Sequence, residues 1–403
     1  MIRRLLLAAL ACALPAVTTT SVGAAAPAAA RPPVVVALVS EVGANVLHRD
    51  FRTRLPAQLP AGVPPVTWVD LPPDGPYDAR LRAARADGLG SVPEGALLGL
   101  RGTRILLAHR GPGSLDVFSA PSHGTGVLSA AASRRSGSNA DALYVLVTGD
   151  IAPVLDWVAR QGWIDIVSTS TNVLLGGGRS GQPVPDSFCG SAAEARRIVA
   201  AGKPLFAAAG NGEPDGATSP PLALPEVIRM GGVDARGAAE PDVTRPYDVG
   251  DLLSFTDGAS AFDDTQPQGN RGTSFAAPRA AGRAALLVAH ARAVLGDRGS
   301  GVRGGRLAVA PTGARRPSRG PLSDGALTAV ELRRLLQDTA TTAEPAGAAR
   351  YPYEGFGALG TAQAALARAV LEGRAAAPDR GQEHRQHDDV QRLRAALTGP
   401  PRC

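Results

Sequence analysis

Short apolar runs, each long enough for one buried strand and too short for a helix, recur through this chain and constrain its fold more than any other feature. VVVALVS (34–40), VTWVD (66–70), RILLA (104–108), LYVLV (143–147), IDIVS (164–168), PLFAAA (204–209) and VIRMGGV (227–233) are continuous rather than alternating, as expected of strands buried on both faces. Helical patterns lie between several of them. Residues 151–161 place Ile151, Leu155, Trp157 and Val158 on roughly one face. Residues 190–201 begin at Ser191 with Glu194 three positions on, and 327–339 begin at Thr328 with Glu331 three positions on; both spacings predict a capping box. Residues 274–295 form a long Ala/Leu-rich run, and 123–132 a shorter run of small residues. Strands alternating with helices predict an α/β fold around a mostly parallel sheet, with no internal repeat. Aromatic residues make up only 4% of the chain, so the core has to be built from Ala, Val and Leu.

The ends read differently. Arg3 and Arg4 precede an apolar stretch at 5–17, and Val22-Gly23-Ala24 offers a small-x-small cleavage site. This predicts a signal peptide over 1–24 and export to the extracellular space. The apolar stretch is too short to span a bilayer, and no later one is longer. Anchoring through Cys12 is the weaker reading, because Ala9-Leu10-Ala11 fits a lipobox poorly. An Ala/Pro-rich leader follows at 25–33, then a single large domain over 34–372 with insertions near 52–103 and 298–325. The insertion before position 103 is Pro-rich at 55–75 and reads as an extra lobe near the cleft. Residues 373–403 are polar and predict a disordered tail. After removal of a signal peptide, Cys189 and Cys403 remain, either paired or free. The net charge of +6 comes almost wholly from scattered arginines, with Lys203 the one lysine. No basic helix with interleaved aromatics is present, which argues against a nucleic-acid partner.

Three local signals carry chemistry. Gly272-Thr273-Ser274-Phe275-Ala276-Ala277-Pro278 puts a serine where free backbone N–H groups of a helix start point outward, a place that suits an oxyanion. The same serine would also serve as a plain helix cap. Ser122-His123-Gly124-Thr125-Gly126-Val127 puts one of six histidines at another helix start; a histidine is the natural proton carrier near neutral pH, and equally a common core or surface residue. Ala207-Ala208-Ala209-Gly210-Asn211-Gly212 ends an apolar run with an amide able to donate to an oxyanion, or simply to make an Asn-Gly turn.

Taken together and in chain order, HGTGV, AAGN and GTSFAAP resemble the subtilisin-like serine peptidases. IAPVLDWVARQGWIDIVSTS, LPEVIRMGGVD and YEGFGALGTAQAALARAV extend the resemblance over roughly 34–372. It implies a three-layer subtilisin-like fold, with helices on both faces of the sheet, and a secreted serine endopeptidase. Ser274 would be the nucleophile, His123 the base, and Asn211 the oxyanion donor. Ser170, Thr171 and Asn172 would pair with substrate backbone, Asn172 standing where the family has glycine. The family's aspartate is replaced. Gly43 and His48-Arg49-Asp50-Phe51 set the frame, and Glu41 falls in the acid position. If the frame slips, Ser40 stands there and no acid remains; Asp70, ending the next run, is a third candidate. The resemblance implies no required cofactor. Structural calcium, with Asp263 and Asp264 as possible ligands, is not demanded by any motif. A peptide or protein substrate and a monomer are expected. A scaffold that has lost its chemistry and binds peptides or a partner protein is the alternative, motivated by Glu41, Asn172 and the lack of room for a pro-segment.

Overall fold

The computed structural model describes residues 32–40, 42–53, 58–118, 121–170, 186–209, 211, 227–234, 252–255, 258–261, 267–295, 297–303, 306–309, 326–341 and 355–398. In chain order these give β1 (Val35–Ser40), β2 (Thr67–Asp70), α1 (Tyr77–Ala86), β3 (Ser91–Pro93), β4 (Leu97–Arg101), β5 (Ile105–His109) and β6 (Ser114–Asp116). Then come α2 (Pro121–Ala132), β7 (Leu143–Thr148), α3 (Ile151–Arg160), β8 (Ile166–Thr169), α4 (Asp186–Ala200), β9 (Leu205–Ala208), β10 (Ile228–Val233) and β11 (Leu252–Phe255). The hairpin β12 (Gly258–Ala261) and β13 (Pro267–Asn270) precedes the long α5 (Thr273–Leu295). A small antiparallel sheet of β14 (Asp297–Arg303), β15 (Arg306–Val309) and β16 (Leu327–Thr328) leads into α6 (Ala329–Thr339), α7 (Thr361–Leu371) and α8 (Gly381–Thr398).

Among the described residues, nine strands form one sheet in the order β11-β10-β9-β8-β1-β7-β5-β4-β2. Every pairing in it is parallel except β4 with β5. All six residues of β1 are buried, and they serve two cores by turns. Val36 and Leu38 face the side packed by α2, α5, α6 and α7, whereas Val35, Ala37 and Val39 face α3 and α4. That is why its sequence is continuously apolar: a strand's side chains alternate between faces, and both faces here are covered. Helix α5 lies close to the sheet because its buried side is Ala276, Ala277, Ala280, Ala281, Ala284 and Ala285. The α/β architecture with helices on both faces is as the sequence predicts.

Four expectations are corrected. The polar segment 381–398, expected to be disordered, is helix α8. Its His384 and His387 rings lie 4.4 and 5.5 Å from the buried Phe356 ring, and His384 pairs with Asp338 at 2.7 Å. Arg380 adds bonds to the carbonyls of Phe356 and Ala340, both 2.6 Å. Composition hides this because the apolar partner lies in another segment. The 52–103 insertion is not a separate lobe. Its apolar runs extend the main sheet beyond β5, and Ala84 of α1 joins the same core as Leu89 and Val92. Within the expected 298–325 insertion, β14 and β15 are strands, and Gly301 is buried against Gly162. Helix α4 starts at Asp186, which puts Ser191 inside it, whereas the capping box at Thr328 and Glu331 is present on α6.

Two buried charges tie the base of the sheet. Asp165 accepts from Val35 N at 2.8 Å, Gly301 N at 2.8 Å and Arg292 Nη2 at 2.6 Å. Lys203 donates to the carbonyls of Val158, Ala159 and Gln161 at 2.7, 2.8 and 2.9 Å. Three ammonium protons thus meet three carbonyls at the C-terminal end of α3, where the helix dipole favours a cation. Burial pushes this amine down to about 8, so it is still charged at neutral pH. Among the described residues no helix is long and apolar enough to cross a membrane.

Candidate active site

Open parallel sheets bind ligands outside the carboxyl ends of their strands, at the point where successive strands are added on opposite sides. Here that point lies between β1 and β8: β5 and β7 build on one side of β1, and β8 and β9 on the other. Ser40 ends β1, Ser170 follows β8, and Asn211 follows β9, so three sequence-predicted positions fall on one edge.

The first turn of α5 brings Asn211, Ser170 and His123 together through three successive residues. Thr273 donates its backbone N–H to Asn211 Oδ1 at 2.8 Å and its hydroxyl to the same oxygen at 3.0 Å. Ser274 accepts, on its carbonyl, the hydroxyl of Ser170 at 2.6 Å. Phe275 packs its ring 6.0 Å from the ring of His123, tilted by 57°. Ser274 and His123 are both half-buried, and α2 packs directly on α5.

The contacts to Thr273 decide which way the Asn211 amide points. A backbone N–H only donates, so the atom it meets is the oxygen, and the Nδ2 donors are left for the other side. Asn211 is exposed, and its Nδ2 lies 3.0 Å from where a Cβ on Gly272 would stand. Gly272 has φ +139°, a conformation that side chains rarely adopt. The glycine therefore gives both the turn into α5 and the room for the amide.

The helix that carries His123 is clamped to the turn after β1. A Cβ on Gly124 would lie 2.0 Å from the Gly43 carbonyl oxygen, so two backbones touch there. One residue on, the buried Thr125 hydroxyl accepts the Asn45 N–H at 2.7 Å.

Glu41, Thr171, Asn172, Asp263, Asp264 and Cys403 lie outside the described residues, as does the side chain of Cys189. Asp70 is removed as a third member. It ends β2 at the far edge of the sheet, four strand spacings or about 19 Å from β1, and pairs with Arg101 at 3.1 Å in the open. No group of three or more His, Cys, Asp or Glu among the described residues could hold a metal ion. Sequence reasoning missed what Thr273 does and gave Ser170 a different task. One signal for Ser170 was available: Pro278, four residues after Ser274, has no N–H to offer the Ser274 carbonyl.

Against known proteins, no family model matches the chain, and no curated protein does. Solved structures do. The chain is similar to the prenylagaramide maturation protease PagA, with a TM-score of 0.47 and 16% identity, over 84% of this chain and 94% of that one. It is similar to a point mutant of the protease domain of PatA, with a TM-score of 0.48 and 17% identity, over 87% and 99%. A cold-adapted subtilisin-like serine proteinase gives 0.41 and 19%, over 78% and 84%. These are likenesses of chain path; what the residues can do is read from the contacts above.

Proposed function

We propose that this chain is an exported serine endopeptidase of the subtilisin-like type. The observation that carries the reading is the first turn of α5, where Thr273, Ser274 and Phe275 meet Asn211, Ser170 and His123 in turn. The ordered motifs and the N-terminal leader support it. Ser274 Oγ attacks the scissile carbonyl while His123 takes its proton. The carbonyl oxygen, now charged, is held by Asn211 Nδ2–H and the Ser274 N–H at the positive end of α5. His123 then passes the proton to the leaving amine, and water reverses the sequence on the acyl-enzyme. Glu41 supplies the carboxylate that keeps the imidazole oriented and its cation stable.

A fluorophosphonate probe tests this directly. Wild-type protein is expected to be labelled at Ser274, with labelling lost in S274A and H123A. Wild type that is folded and never labelled would leave a scaffold without chemistry.

A further inference from the structure

Helix α5 contains a proline at its sixth residue, Pro278. In an α-helix the carbonyl of residue i accepts the N–H of residue i+4, and the partner of the Ser274 carbonyl would be the N–H of residue 278. Proline has none. The sequence therefore leaves the nucleophile's own carbonyl without its helical donor, in the first turn of a helix whose next turns are buried. A carbonyl in such a place needs another partner.

That partner is on a different element. Ser170 is 3% exposed and donates its hydroxyl to the Ser274 carbonyl at 2.6 Å, across 104 residues of chain. The bond joins the carboxyl end of β8 to the residue that attacks. We infer that Ser170 is a positioning residue for the nucleophile: its hydroxyl replaces the hydrogen bond that Pro278 deletes and so ties the Ser274 backbone to the sheet. A helix donor at 278 would hold Ser274 only to its own helix. The Ser170 donor holds it to the strand end that leads into 171–172, where a substrate strand is expected to pair. This inference rests on the peptidase reading for its functional meaning and on the proline and the hydroxyl for its geometry.

The double-mutant cycle of S170A and P278A tests it in the full chain. S170A takes away the donor; P278A gives one back from within the helix. S170A is expected to lower the maximal rate of fluorophosphonate inactivation about tenfold, with the probe's half-saturation unchanged, as for a misplaced nucleophile. S170A/P278A is expected to recover to within about threefold of wild type, and P278A alone to stay near it. Crystal structures of S170A and of the double variant read the Ser274 position whether or not anything is cleaved. A displacement of about 0.5 Å or more in S170A, reversed in the double variant, is expected.

If S170A shifts the urea midpoint but leaves both the rate and the Ser274 position unchanged, the inference is overturned and Ser170 is only structural. If P278A fails to restore either, the replacement of the deleted bond is wrong. Should S170A not fold, the double variant carries the test: folding and reacting like wild type supports the inference, and failing to fold overturns it. A silent wild type with the displacement and its reversal intact would sink the peptidase reading and leave the positioning role standing. Normal labelling without coupling would do the reverse.

Discussion

Asn211→Asp is expected to slow fluorophosphonate inactivation and peptide cleavage about 10²–10³-fold, the usual cost of losing one oxyanion donor, while leaving the urea midpoint near wild type. The two ends of this amide do different things. The Oδ1 end accepts from the Thr273 N–H and hydroxyl, and a carboxylate oxygen accepts these as well. The Nδ2 end donates, and a carboxylate cannot; it also places a negative charge where negative charge develops. Asn211→Leu removes both ends, takes away the acceptor that the Thr273 N–H and hydroxyl share, and is expected to lose stability as well as rate. If N211D reacts as fast as wild type, the oxyanion is stabilised elsewhere and Asn211 only closes the turn onto α5.

The second large effect concerns stability. Asp165→Ala is expected to cost about 3–5 kcal/mol, the range for breaking a buried ion pair from one side, read as a fall in urea midpoint. The side chain is fully buried and takes donors from the start of β1, from β14 and from Arg292. Without it, two backbone N–H groups lose their acceptor, and Arg292, itself 1% exposed, loses its carboxylate. Against the 5–15 kcal/mol that ordinary domains have in hand, this is a large share. Pairing the change with Arg292→Met is expected to recover part of the loss, since the buried cation that lost its carboxylate goes too. As a control, Arg160→Ala breaks an exposed pair with Asp156 on α3 and is expected to cost no more than about 1 kcal/mol. Equal losses for D165A and R160A would show that the buried cluster does not hold the base of the sheet.

Much of the fold was legible because the chain's strands are buried on both faces. A run such as LYVLV has no polar alternation to confuse it, and it became β7 with every residue buried. The start of α6 was legible because its cap is local: Thr328 accepts from Glu331 N at 3.1 Å, and Thr328 N donates back to the Glu331 carboxylate at 2.6 Å. The same spacing misled at Ser191. There the helix begins five residues earlier, at Asp186, so Ser191 lies inside α4 and cannot cap it; Glu194 pairs instead with Arg197 one turn on. Helix α8 was illegible because its docking partners, Phe356 and Asp338, are set by tertiary contact. In the site, residue types and chain order announced Ser274, His123 and Asn211. What those positions touch did not follow from order. The Thr273 contact that orients the amide, and the hydroxyl that replaces a proline's missing N–H, are properties of the assembled edge.

Lys203 has a practical consequence for anyone labelling this protein. It is the chain's one lysine, and its amine is enclosed by three carbonyls at 1% exposure. The burial that lowers its basicity would make it a ready nucleophile if a reagent could reach it. In the folded molecule acylating reagents, aldehydes and enzymes that build isopeptide bonds find no lysine side chain on the described surface. Once the end of α3 opens, the amine becomes available. Acetylation at Lys203, followed by mass, therefore acts as a single-site clock for opening of that part of the sheet, with no background from other lysines.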